Sequence, residues 1–200
     1  MDDNSTIIET ADLGGICAVC GEELTPFGSR EIADGLICRN CAKKLSEWLS
    51  EETLAAMTAE EVIAHLEYRR INRDMLEGFI PAKSAGGKYK LYIDEANESF
   101  LISRKRDFVS ANADLLKLAA VEKVRSYVSV DAEQNCGDVM TDIDMAEGEI
   151  RHLSFRVNEF PGLEADSEEF EKAINDSFEM AELFKDSGVD EERIVVEYGE

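Results

Sequence analysis

Two cysteine pairs, Cys17-Ala18-Val19-Cys20 and Cys38-Arg39-Asn40-Cys41, constrain this chain more than any other feature. They form the pattern C-x2-C-x17-C-x2-C, a spacing expected of a four-cysteine zinc site. Two residues between cysteines let a tight turn aim both sulfurs at one point. Gly21 follows the first pair and permits the backbone twist that such a turn often needs. Asp34-Gly35 is hairpin-turn chemistry that can bring the second pair back to the first. Zinc takes four ligands in a tetrahedron. Cys17, Cys20, Cys38 and Cys41 are therefore predicted to hold one structural Zn2+ with no open position and no water to activate.

A module of roughly 35 residues cannot bury enough apolar surface to fold alone. Zinc binding supplies folding free energy, on the order of 10–16 kcal/mol in small zinc-finger peptides. Ile16, Leu24, Phe27, Ile32, Leu36 and Ile37 would add a small apolar patch, and a helix carrying Trp48 would continue from the second pair. The other chemistry of a CxxC pair is thiol–disulfide exchange. Such a motif normally stands alone near a βαβ pattern, and none is visible, so a thiol-based redox sensor is the lesser alternative. The start, Met1-Asp2-Asp3-Asn4-Ser5, is acidic and lacks a basic-then-apolar signal. No apolar run approaches the length that spans a bilayer. The expectation is a soluble, cytoplasmic protein whose cysteines are not disulfides, with Cys136 as a free thiol.

The rest of the chain reads as α+β: the small zinc ribbon, a linking helix, then an antiparallel β-sheet or partly open barrel with a C-terminal helix. The expected divisions are a flexible start over 1–14, the ribbon over 15–50, the linking helix over 51–78 and a β-rich domain over 79–200. The helix is announced by a capping box, Thr58-Ala59-Glu60-Glu61, and stopped by Gly78. Strands are expected over 79–83, 88–93 and 100–102, with a turn at Ser84-Ala85-Gly86-Gly87 and another at Asp94-Glu95-Ala96-Asn97. Asn112 would cap a short helix through Leu118. Strands should follow over 121–130 and 150–157, whereas 138–145 is ambiguous. Asp166 or Ser167 would cap the last helix, about 166–186, and 193–198 reads as an edge strand or an ordered tail.

The segment from Gly14 to Trp48, with Cys17-Ala18-Val19-Cys20-Gly21-Glu22, then 32–38, then Cys41-Ala42-Lys43-Lys44-Leu45-Ser46, resembles an uncharacterised bacterial zinc-ribbon family. That family is a domain of unknown function common in Gram-positive and gut bacteria. The resemblance implies a ribbon, a helix like 58–75 and a β-rich domain, and it implies a zinc site but no activity. The stretch from Leu91-Tyr92-Ile93-Asp94 to Phe100-Leu101-Ile102 is similar to a strand, Asp, turn, strand element of the second domain. That implies a small barrel with a C-terminal helix, similar to bacterial pleckstrin-homology or GRAM-like domains.

Charge narrows the partners. The formal net charge is −23, made of −9 over residues 1–80, +3 over 81–130 and −17 over 131–200. Such a field repels nucleic acid and anionic lipid. Within the ribbon, Arg30, Arg39, Lys43 and Lys44 stand against Glu22, Glu23, Glu31, Asp34 and Glu47. A zinc-ribbon nucleic-acid-binding protein is thus an alternative without the basic, aromatic face it needs. The cluster Arg104-Lys105-Arg106 could hold phosphate, which would make the second domain a membrane recruiter. The plainer reading is an exposed strand end. The acidic stretch over 131–149 lacks the glycine that a calcium loop places at its sixth position, and is read as a solvated loop. His65 and His152 are read as structural. No Gly-rich phosphate loop, G-x-S-x-G or H-E-x-x-H is present, and no nucleophile–base pair can be named. The chain is expected to be a non-enzymatic interaction or adaptor module with an unidentified protein partner.

Overall fold

The computed structural model describes residues 15–25, 27–131 and 136–198. The expected flexible start over 1–14 lies outside them. The described residues divide into two compact units, one within Met1–Leu45 and Leu49–Glu67, the other within Ser46–Trp48 and Tyr68–Glu200.

The first unit is built on a hairpin. Strands β1 (Arg30–Ile32) and β2 (Gly35–Ile37) pair antiparallel, with Ile32 opposite Gly35. The two turn residues are therefore Ala33 and Asp34, one position earlier than Asp34-Gly35. Asp34 turns its carboxylate to a different task, accepting the backbone N–H of Ala59 at 2.8 Å. Helix α1 (Arg39–Ala42) follows the hairpin, and α2 (Glu51–Ala56) starts at Ser50, whose hydroxyl accepts the Thr53 N–H at 3.0 Å. Helix α3 (Ala59–Leu76) begins with the expected box: Thr58 N–H donates to Glu61 at 2.7 Å, and Glu61 N–H donates to the Thr58 hydroxyl at 3.3 Å. The linking segment is thus two helices. Met57 between them is extended, and its carbonyl accepts the Ala33 N–H at 2.7 Å. Leu24, Ile32, Ile37, Leu45, Leu54 and Val62 form this unit's core together with buried cysteines.

The second unit holds two sheets and a helix. One sheet has the order β3 (Lys83–Ala85), β4 (Lys90–Asp94), β5 (Ser99–Ser103), β6 (Leu116–Lys117), all antiparallel. The other centres on the long pair β7 (Val121–Asp131) and β8 (Cys136–Met145). Strands β9 (His152–Arg156) and β10 (Leu163–Glu164) pair with β8, and β11 (Ile194–Glu197) runs parallel to β7. Helix α4 (Glu168–Asp186) is capped by Ser167 and buries Phe170, Ala173, Met180 and Phe184. Those side chains join Leu91, Ile93, Phe100, Val124, Ile143 and Leu153 in one core, where Phe100 meets Phe184 edge to face at 5.1 Å. The other face of the first sheet supports a smaller core in which Tyr92 and Leu101 meet Leu76, Phe79 and Ala113. The fold is α+β with sheets that are antiparallel except for the β7–β11 pair, no closed barrel among the described residues, and a C-terminal helix. No helix of the described residues is long and apolar enough to cross a membrane.

Several segments differ from expectation; the helix after the second cysteine pair ends at Ala42 and does not reach Trp48. The first strand of this unit lies at 83–85 rather than 79–83. Phe79 turns into the smaller core, Ile80 gives its N–H to the Asp94 carboxylate at 3.1 Å, and Pro81 has no N–H to give. No helix runs from Asn112 to Leu118. Asn112 has φ +53°, and the chain continues to β6 and a 3-10 turn, Leu118–Ala120. Asn72 holds that segment open, donating to the Ala113 carbonyl and accepting the Leu115 N–H, each at 2.7 Å. The ambiguous 138–145 is part of β8, whose side chains alternate strictly between half-buried and buried.

Candidate metal centre

Each cysteine pair sits on a turn that its own sequence dictates. In the first, the Gly21 N–H bonds to the Cys17 carbonyl at 2.9 Å, and Gly21 takes φ +74° to close it. In the second, Cys38 is the N-cap of α1 and its sulfur accepts the Cys41 N–H at 3.4 Å. Backbone bonds draw the turns together. Ala18 N–H reaches the Leu36 carbonyl at 2.9 Å, and Cys38 N–H reaches the Cys17 sulfur at 3.2 Å.

All four sulfurs lie within 4.8 Å of one another. Cys17 and Cys41 are 4.0 Å apart and Cys20 and Cys38 are 3.7 Å apart, sulfur to sulfur. A tetrahedron with about 2.3 Å from centre to sulfur has an edge of about 3.8 Å. A disulfide would need about 2.05 Å, so the sulfurs are spaced for a shared cation rather than for bonding to each other. Cys17, Cys38 and Cys41 are buried and Cys20 is exposed.

The electrostatics agree with that spacing. Burial pushes the Cys17 thiol up, but the backbone N–H groups of Cys38, Cys20 and Val19 outweigh it and bring it down to about 6. Cys41 is pushed well up by burial and by the thiols of Cys20, Cys38 and Cys17. The Glu22 backbone pulls Cys20 down, but partial desolvation by the neighbouring atoms and the Cys17 and Cys38 sulfurs carry this exposed thiol above its ordinary value. The Cys17 thiol is ready to ionise while Cys20 and Cys41 resist, because adjacent thiolates repel without a cation among them. Four cysteines so placed can bind a metal ion.

The other residues singled out in the sequence are dispersed. The four cysteines are the one group of three or more Cys, His, Asp or Glu close enough to hold a metal among the described residues. The acidic stretch is not the expected loop: Asp138, Asp142 and Asp144 lie on strand β8, where Asp138 accepts the Gly162 N–H at 2.8 Å and Asp144 pairs with His152 at 2.7 Å. His65 is buried on α3. Arg104 pairs with Glu47 at 3.5 Å and lies over the Tyr89 ring at 5.0 Å. Cys136 is half-buried and free. What sequence reading missed is the set of backbone donors on the sulfurs. No residue type signals them, since every residue but proline carries an N–H.

No curated protein matches the chain. Residues 16–65 match a family described as a domain of unknown function, DUF4428. With its four close cysteines, that stretch is similar to a zinc-ribbon-like domain at the N-terminal end of this sequence.

Proposed function

We propose that Cys17, Cys20, Cys38 and Cys41 hold one structural Zn2+, and that the chain is a non-enzymatic interaction or adaptor protein of the bacterial cytoplasm. The observation that carries the metal is the sulfur spacing of 3.7 and 4.0 Å, which fits the edge of a zinc–thiolate tetrahedron. An all-thiolate donor set favours zinc over magnesium or calcium, which take oxygen. Four protein ligands fill the tetrahedron, so the ion would brace the fold and would not activate water. Thiolate zinc sites also suit a reducing compartment.

The adaptor role draws on the same closed site and on the acidic surface, which favours a basic protein partner over nucleic acid or anionic lipid. The second unit, two sheets and a C-terminal helix, would supply the other binding surface, in the manner of pleckstrin-homology or GRAM-like domains. Metal analysis of protein purified without added metal, paired with thiol titration before and after denaturation, tests the site. One zinc per chain with four thiols shielded until metal is removed is expected. Two disulfides and no metal would overturn it in favour of a redox sensor. Cys38→Ser should lose the ion and the ordered β1–β2 hairpin together. For the adaptor role, a pulldown without a protein partner combined with turnover of a small molecule would be the contrary result.

A further inference from the structure

Within the second unit, a cavity of about 450 Å³ opens on the first sheet. Its polar side chains are Lys83, Ser84, Lys90, Tyr92 and Arg106, and Phe108 forms an apolar wall. All five can donate a hydrogen bond, and no carboxylate lines the space. In a chain with 44 acidic residues against 21 Lys and Arg, that composition needs a cause. A larger cavity of the same unit, about 570 Å³, shows the contrast: Glu159, Glu169 and Asp176 line it, and its Lys172 pairs with Asp176 at 3.8 Å.

We propose that the smaller cavity binds a phosphomonoester, with an apolar wall for the group that the phosphate esterifies. The side chains of Lys90 and Arg106 make no salt bridge and no hydrogen bond within the described residues, so both are available to a ligand. Lys83 pairs with Glu95 at 2.7 Å, at a site where both are about half exposed, so that pair can yield to a ligand. Sheet geometry fixes the convergence. Lys90 and Tyr92 are two apart on β4 and share a face, and Ser84 on β3 stands opposite Tyr92. Arg106 and Phe108 arrive from the segment after β5.

Three cations and two hydroxyls match the three oxygens of a phosphate dianion, and the arginine fork suits two of them at once. Phe108 and Tyr92 meet edge to face at 4.8 Å and supply an apolar wall for the esterified group. The cavity falls in the size range of small-ligand sites and exceeds what a bare phosphate fills. The ester can come from a free metabolite or from a lipid headgroup, since both present the same dianion.

The test uses the full chain with its metal and two probes. One is phenyl phosphate, read by amide shifts in a nitrogen-15 spectrum. The other is phosphatidylcholine vesicles doped with phosphatidic acid, read by co-sedimentation. Binding should shift the amides of 83–84, 90–92 and 106–108 and weaken with salt. Arg106→Gln and Lys90→Gln should each weaken it about tenfold, the loss of one charged hydrogen bond. Lys172→Gln, the same charge change at the other cavity, should leave it unaltered. Capture of phenyl phosphate assigns a soluble ester, and capture of vesicles alone assigns the headgroup. Binding of neither probe, or binding indifferent to Arg106→Gln and Lys90→Gln in variants with an unchanged circular dichroism spectrum, would overturn the proposal.

Discussion

Asp114 has a fully buried carboxylate that accepts from the Ser46 hydroxyl at 2.8 Å, the Tyr68 phenol at 3.2 Å and the Arg69 guanidinium. Arg69 is buried too, and it also holds the Asn112 carbonyl. A buried charge pair contributes little against an apolar pair of equal shape, but removing one partner strands the other. Asp114→Ala should therefore cost about 3–5 kcal/mol in urea unfolding. The double change Arg69→Met with Asp114→Leu should cost less than either charge removal alone, and a simple sum would refute the coupling. Asp94 is a second buried carboxylate, held below its ordinary 3.8 by the Asn97 side-chain amide and by the Ile80 and Asn97 N–H groups. A carboxyl group depressed in the fold stabilises above its unfolded value, and that gain disappears as pH falls through the folded value. Asp94→Asn should lose about 1–3 kcal/mol at neutral pH and flatten the acid limb of the stability curve. An unchanged acid limb would assign the acid sensitivity elsewhere. Residue by residue, the sequence was readable where chemistry is local. Two residues between cysteines encode a turn by themselves. Asp114 gave no signal because its partners lie 45 to 68 residues away.

The loop between β3 and β4 meets α4 through two glycines that fail in different ways. A Cβ on Gly86 would lie 2.6 Å from the Met180 sulfur and 2.8 Å from the Tyr89 carbonyl oxygen, at φ +99°. A Cβ on Gly87 would collide with the Asp176 carboxylate but strains no backbone angle. Both alanine substitutions should destabilise by about 1–3 kcal/mol. Asp176→Ala should rescue much of Gly87→Ala and none of Gly86→Ala, measured by thermal unfolding. Equal rescue of both would mean that α4 simply shifts away. Elements were legible to the extent that their ends are marked in the chain. The Thr58–Glu61 box places the start of α3, and Ser167, whose hydroxyl accepts the Phe170 N–H at 3.2 Å, places that of α4. Strand β8 was opaque because its inward set includes Thr141 and its outward set includes Met140, which inverts the hydropathy signal. Thr141 is tolerated inside because its hydroxyl bonds that of Ser126 at 3.1 Å. The 112–118 segment was misread because asparagine serves equally as a helix cap and as a left-handed residue, and only the distant Asn72 decides between them.

For the molecule as a whole, the dominant electrostatic fact is repulsion. The net charge of −23 is carried by a chain whose ion pairs are mostly exposed, such as Arg70 with Asp74 and Arg125 with Glu197. Exposed pairs contribute about 0–1 kcal/mol each, and salt weakens them. Repulsion among many like charges on a folded surface is also screened by salt, and it favours the expanded chain, where the same charges stand farther apart. The two effects have opposite signs, so added salt reports which is larger. The screening length shrinks from about 30 Å at 0.01 M to about 10 Å at 0.1 M, shorter than most distances between charges across a domain but longer than any ion pair. Salt in this range therefore removes distant repulsion first and leaves the contacts largely intact. The midpoint of thermal unfolding should rise by several degrees across it, with sodium chloride and potassium chloride acting alike, since the effect belongs to ionic strength. A falling midpoint would show that paired charges, rather than the excess of acids, set the electrostatic balance of the fold. At a pH near the isoelectric point of about 4.4 the excess vanishes, and the salt response should vanish with it.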